Sequence, residues 1–158
     1  PVDLSLEEAD LVTTVLSCVT EGRKAVPIDK AKIVVAGGRG VGSREGFALL
    51  RELAGVLGAE VAGSRVAVEK GWIEQVRQVG QTGTAVAPEL YIACGISGSV
   101  QHRAGIKGAR IVAAINSDAE APIFNHAHFG VVADLKQFLP RLTEALRQAF
   151  AERDEHSA

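Results

Sequence analysis

Several short stretches of this 158-residue chain gather the small, amide, hydroxyl and charged groups that bind a polar ligand. They are Gly37-Gly38-Arg39-Gly40, Gln78-Val79-Gly80-Gln81-Thr82-Gly83, the run from Gly95 to His102, Asn116-Ser117-Asp118, and Asp134. Glycine lets backbone N–H groups approach a ligand closely, and amides and hydroxyls supply hydrogen bonds without charge. Ser97, Gly98 and Ser99 are small enough to turn N–H groups toward a phosphate at a helix start. Arg39, set between glycines, suits a pyrophosphate.

The named motifs are incomplete. Gly38-Arg39-Gly40 needs glycine at position 43 to make GxGxxG, and Ser43 stands there. No Gly-Lys-Ser/Thr follows, so there is no P-loop. An NAD-dependent oxidoreductase domain is thus an alternative without its fingerprint, and a non-redox ADP or nucleotide-binding module is another. Gly95-Ile96-Ser97 lacks the second glycine of a nucleophile elbow, because position 99 is Ser99. His126-Ala127-His128, even with His102 or Asp118, is sparse for a metal site, and no metal is expected.

Each of these stretches needs an element to hold it. Ile33-Val34-Val35-Ala36, Leu90-Tyr91-Ile92-Ala93-Cys94, Ile111-Val112-Ala113-Ala114-Ile115 and Val131-Val132-Ala133 are apolar runs that do not alternate with polar residues. Such runs predict strands covered on both faces, hence a parallel sheet between helices. Each run ends at a candidate binding stretch, and in open parallel sheets ligands bind beyond the carboxyl ends of the strands. Helices are predicted from Ser43 or Arg44 to Leu57, from Gly98 or Ser99 through His102, and from Leu135 onward. Pro140 predicts a kink or a later start in the last of these, and Asp134 is a candidate cap for it. The fold class is α/β: a single doubly wound, mostly parallel sheet with helices on both faces. Residues 1–31 are read as an N-terminal segment and linker, 32–150 as the domain, and 151–158 as a polar tail. Residues 5–8 resemble a capping box, whereas 11–19 are rich in Val and Thr and fit a strand.

Composition narrows the class further. The net charge is −2 and only 4% of residues are aromatic, so nucleic-acid binding has no basic surface to rest on. No apolar run reaches the roughly 20 residues of a membrane span, and direct membrane insertion is not expected. Two cysteines without CxxC spacing, Cys18 and Cys94, fit buried thiols and a reducing, cytoplasmic setting. Glycine makes up 17 residues, above the usual share of about 7%, which points to backbone packed close to something.

The binding stretches also resemble a known family. Gly37-Gly38-Arg39-Gly40, Ser64-Arg65, the 78–83 loop, the unbroken stretch Ala87-Pro88-Glu89-Leu90-Tyr91-Ile92-Ala93-Cys94-Gly95-Ile96-Ser97-Gly98 with Gln101-His102, and Glu120-Ala121-Pro122-Ile123-Phe124 occur in order. Together they are similar to the C-terminal FAD-binding domain of the electron transfer flavoprotein alpha subunit, over roughly residues 32 to 147.

The resemblance implies FAD as cofactor and a role in carrying electrons rather than catalysing a reaction. Arg39 and Ser64 would contact the phosphate and adenosine side, and Arg65 would lie against the flavin ring. A cation there favours negative charge on the ring. The bland alternative for Arg65 is a surface ion pair with Glu69. Within Val79-Gly80-Gln81-Thr82, Gln81 and Thr82 would hydrogen-bond the ring, with Thr82 near N5. Ser97, Gly98, Ser99, Val100, Gln101 and His102 would carry ribityl, phosphate and ring-edge contacts. Asn116, Asp134 and Leu135 would hold the adenosine end. The implied partners are the beta subunit in a heterodimer, flavin dehydrogenases as donors, and a quinone oxidoreductase or similar acceptor. The implied setting is cytoplasmic, or the mitochondrial matrix in a eukaryote. The chain lacks Met and the family's N-terminal alpha domain, which predicts a piece of a longer protein. Asn116-Ser117-Asp118-Ala119 and Asn125-His126-Ala127-His128-Phe129 depart from the family's usual wording, which bears on surface charge and docking.

Overall fold

The structure is a computed structural model and describes residues 26–156. The expectations for residues 5–8 and 11–19 therefore lie outside the described residues. Among the described residues five strands form one sheet: β1 (Ile33–Gly37), β2 (Glu60–Gly63), β3 (Leu90–Cys94), β4 (Ile111–Asn116) and β5 (Phe129–Val132). Every pairing is parallel, and the strand order is β2-β1-β3-β4-β5. The helices are α1 (Phe47–Leu57), α2 (Arg65–Glu69), α3 (Val100–Ala104) and α4 (Leu135–His156).

The apolar strand runs are explained by two half-cores. Successive residues of a strand point to opposite faces. Val35, Ile92, Cys94 and Ile115 pack on one face with Phe47, Leu50 and Leu53 of α1 and Leu139 of α4. Val34, Ala36, Tyr91, Ala93, Val112 and Ala114 pack on the other with Val79, Ile106 and Ile123. The first face is roofed by two packed helices, α1 and α4. The second is covered mainly by irregular segments carrying Val79, Val86, Ile106 and Ile123, with α3 adding His102 against Tyr91, so helices on both faces is true in a lopsided way.

The differences from the sequence reading have local causes. β2 is a four-residue edge strand, Glu-Val-Ala-Gly, too short and too poor in β-branched residues to stand out. The last strand was expected to be covered on both faces at 131–133. It instead spans Phe129–Val132 at the other edge, with Phe129 and Val132 exposed. Helix α1 begins at Phe47 because Gly46 N–H donates to Ser43 Oγ at 3.0 Å, holding residues 43–46 in turns. Pro140 sits inside α4 on its exposed side, so the carbonyl it leaves unbonded can face water. The same helix continues through residues 151–156, which the sequence presents as a polar tail.

This strand order reverses direction between β1 and β3. A crevice opens at such a switch point because the loops leaving the two strands travel to opposite faces.

Candidate functional site

A cleft of about 440 Å³ lies at that switch point, over the carboxyl ends of β1, β3 and β4. Its floor is backbone packed on backbone. Gly38 N–H donates to the Cys94 carbonyl at 2.9 Å, and Gly40 N–H to the Gly95 carbonyl at 2.9 Å. A Cβ on Gly38 would lie 2.6 Å from the Gly95 oxygen, and one on Gly40 would lie 2.7 Å from the Gly95 Cα. Gly95 and Gly98 have φ of +62° and +84°, a region that L side chains rarely adopt. At Gly98 a Cβ would also lie 2.6 Å from the Ile123 nitrogen. Glycine at these points lets two loops meet below the cleft.

The β4 end is tied in by Asn116. Its side-chain amide donates to the Ile96 carbonyl at 3.1 Å, and its oxygen accepts from Asp118 N–H at 3.0 Å. The 78–83 loop is anchored by Val79 N–H to the Gly63 carbonyl and by Gln81 N–H to the Gln101 carbonyl, each 2.9 Å. Gln78, buried beneath this loop, donates from its amide to Thr82 Oγ1 at 3.0 Å. Ser99 caps α3, its hydroxyl accepting from His102 N–H at 3.3 Å. This short helix turns His102 inward.

His102 is buried, and its Nε2 lies 2.9 Å from the Tyr91 phenol oxygen. Its Nδ1 is buried and completes no hydrogen bond of normal geometry, although the Val79 backbone lies near enough to act on the ring. Burial pulls the imidazole down to about 4, which a backbone interaction with Val79 opposes weakly. His102 is therefore neutral near pH 7. Arg65 is the opposite case: its Nε donates to Glu69 Oε1 at 2.7 Å, with both side chains more than half exposed. The ion pair weighed against a ligand role for Arg65 is thus formed. No carboxylate among the described residues pairs with Arg39.

The cleft is lined by Arg39, Ser64, Arg65, Val79, Gly80, Gln81, Thr82, Ser97, Gly98, Ser99, Gln101, His102 and Asn116, all selected from the sequence. Three selected residues are not among its walls. Val100 is exposed and lines a separate groove with Arg103 and His128, because its position on α3 faces away from His102. Asp134 caps α4, accepting from Lys136 N–H at 2.7 Å. Leu135 is buried in the half-core under α1 and α4. Gln78, Val66, Ser117 and Asp118 line the cleft and were not selected. Gln78 and Asp118 stood in stretches singled out for chemistry, whereas nothing in the sequence marks Val66. His128 Nδ1 accepts from Val112 N–H at 3.0 Å, and no metal-binding group of side chains occurs among the described residues.

Fold and cleft together define a doubly wound domain of the kind that holds a nucleotide at its switch point. The family is given by comparison: the family model described as "Electron transfer flavoprotein FAD-binding domain" matches residues 27–107, and the chain belongs to that family, whose cofactor is FAD. The chain is 56% identical over 141 residues to "Protein FixB" of Clostridium saccharobutylicum, covering 89% of this chain and 42% of that protein. It is 49% identical over 147 residues to "Electron transfer flavoprotein subunit alpha" of Bacillus subtilis, covering 93% and 45%. For the protein of the same name from Thermoanaerobacterium thermosaccharolyticum the identity is 46% over 146 residues, covering 92% and 44%. The chain thus spans less than half the length of these relatives.

Proposed function

We propose that this domain holds FAD across the β1/β3 cleft and serves as the flavin-carrying part of an electron carrier. The observation that carries the reading is the glycine floor with a buried, unsatisfied imidazole nitrogen beside it. Backbone loops in contact at Gly38, Gly40, Gly95 and Gly98 leave a bed free of side chains, and His102 Nδ1 completes no hydrogen bond, a place that a ring atom would fill. When bound, FAD supplies the one- and two-electron chemistry.

In this reading Arg39, Ser64, Ser97 and Ser99 hold the phosphates and ribityl chain, and Asn116 shapes the adenosine end. Thr82 and Gln81 reach the ring from the exposed loop. His102 offers a hydrogen bond rather than a charge, because burial keeps it neutral. Arg65 must leave Glu69, or share it, to lie against the ring. The reading assigns no nucleophile or general base among the described residues, and the domain is proposed to be a carrier and not an enzyme.

The partners belong to the same proposal. A beta subunit in a heterodimer would cover the exposed ring side, flavin dehydrogenases would deliver electrons, and a quinone oxidoreductase or similar acceptor would remove them. The bacterial relatives support a cytoplasmic setting. No helix among the described residues is long and apolar enough to cross a membrane.

The test is a titration of the purified chain with FAD, NAD and ADP, followed by visible absorption and calorimetry. FAD should bind more tightly than ADP and perturb the flavin spectrum, and adding the beta subunit should tighten it further. A chain that stays colourless and takes NAD overturns the proposal in favour of a dehydrogenase. Equal affinity for ADP and FAD overturns it in favour of a nucleotide module that ignores the ring.

A further inference from the structure

Tyr91 is fully buried in β3, and its phenol oxygen is 2.9 Å from His102 Nε2. The two ring centroids are 6.1 Å apart with planes at 54°, so the hydrogen bond, rather than parallel stacking, joins them. His102 lines the cleft, and its second nitrogen, Nδ1, is buried and completes no hydrogen bond of normal geometry among the described residues, although the Val79 backbone lies close enough to raise the ring's basicity. A neutral imidazole has one N–H and one bare nitrogen, so whatever occupies Nε2 decides what Nδ1 can do.

The direction of the Tyr91 bond follows from what each choice leaves unmade. Burial, and the nearby Cys94 thiol to a lesser degree, pushes the Tyr91 phenol well above its ordinary range. The phenol therefore keeps its proton and must give it to something. Nε2 is the hydrogen-bond partner the structure provides for it. If Nε2 carried a proton and donated to the phenol oxygen, the phenolic O–H would be buried with no acceptor. Nδ1 would then be a bare acceptor with no donor. Buried polar groups rarely go unpaired, because they lose their water and gain nothing.

We infer that Tyr91 is a positioning residue: its phenol donates to His102 Nε2, fixes the Nδ1–H tautomer, and makes Nδ1 a neutral proton donor to an acceptor atom on the flavin ring. The inference rests on the FAD reading. Tyr91 touches no ligand in this arrangement and acts through His102 alone. The same bond holds the imidazole plane, so both the polarity and the aim of the donor are set from behind.

The test is Tyr91→Phe in the 158-residue chain, read by side-chain 15N NMR of His102 and by binding of FAD and of ADP. In the wild type, Nε2 should be unprotonated and Nδ1 protonated. In Y91F the Nε2–H tautomer should become populated. FAD affinity should fall about tenfold, the worth of one hydrogen bond, while ADP affinity is unchanged. In a His102→Gln background, Tyr91→Phe should cause no further loss of FAD.

A wild-type His102 protonated on Nε2 overturns the inference, and this readout holds even if Y91F does not fold. An unchanged tautomer in Y91F also overturns it. Equal losses of FAD and ADP would make Tyr91 a packing residue only. If the wild type takes no FAD, the functional proposal falls, whereas the tautomer measurement still judges Tyr91.

Discussion

The floor and the rim of the cleft are built on different principles. The floor, from Gly38 to Gly40 and Gly95 to Gly98 with His102 beside it, is largely backbone in contact with backbone and buried polar atoms. The rim, from Ser64 to Glu69 and across Gln81 and Thr82, is mostly exposed; its backbone is tied down at Ser64 and Gln81, but its charged side chains are held only by the exposed Arg65–Glu69 ion pair. A floor of this kind has one geometry because any added atom collides. A rim of this kind has several, because an exposed ion pair in water is worth little and exchanges easily. If FAD lies as proposed, the rigid floor is the bed for its chain and the adaptable rim is the side that meets its ring.

Substitutions should separate the two regions by size of effect. Gly98→Ala comes first: it puts a side chain at a φ of +84° and a Cβ 2.6 Å from the Ile123 backbone. A loss of about 3 kcal/mol is expected from strain and overpacking. Urea unfolding checks it, and a loss near zero would mean that the floor is as pliable as the rim.

The next effect is acid sensitivity. His102 is held near 4 in the folded protein by burial, against an ordinary 6.5, so folding favours its neutral form. Its contribution is complete above about pH 6.5, shrinks as pH falls, and is gone by about pH 4. The full amount is about 3 kcal/mol, an upper figure because the fold can relax around the cation. Unfolding midpoints of wild type and His102→Asn between pH 7 and 4 should converge as the pH drops. Parallel curves would show that His102 is not the sensor.

Asn116→Ala removes two short links between the β4 end and the β3 loop. It should cost about 1–2 kcal/mol and leave the Ile96 carbonyl unpaired. Thermal unfolding measures this, and an effect below that of a surface substitution would remove Asn116 from the floor.

The smallest stability effect belongs to the rim. Arg65→Ala breaks an ion pair whose side chains are 68% and 55% exposed, and it should change stability by less than about 0.5 kcal/mol. FAD retention should nevertheless fall. Unchanged retention on gel filtration would leave Arg65 as a surface ion pair and nothing more.

The strands and the site were unequally legible in the sequence. β1, β3 and β4 were visible because burial on both faces forces unbroken apolar runs, and the residues that end them fell at the cleft as the sheet rule requires. β2 is hidden because it has only four residues and opens with Glu60, a carboxylate kept buried by its ion pair with Arg77, while β5 is misplaced because an edge strand lets Phe129 face solvent. Val100 sits inside a binding stretch by number, yet the roughly half turn of α3 between it and His102 points the two side chains in opposite directions. Asp134 and Leu135 follow the last strand, but there one residue is spent on capping a helix and the other on the core.

Local chemistry therefore determined the parallel α/β class, the glycine loops and most of the residues that meet in the cleft, since those follow from apolar periodicity and backbone freedom. Only the tertiary structure decided the strand order, and with it the switch point between β1 and β3. Only it decided that Tyr91 stands behind His102, that Nδ1 completes no hydrogen bond of normal geometry, and that Arg65 is held by Glu69. Those are contacts between segments, and burial and opposing backbone create them where no single stretch of sequence carries the information.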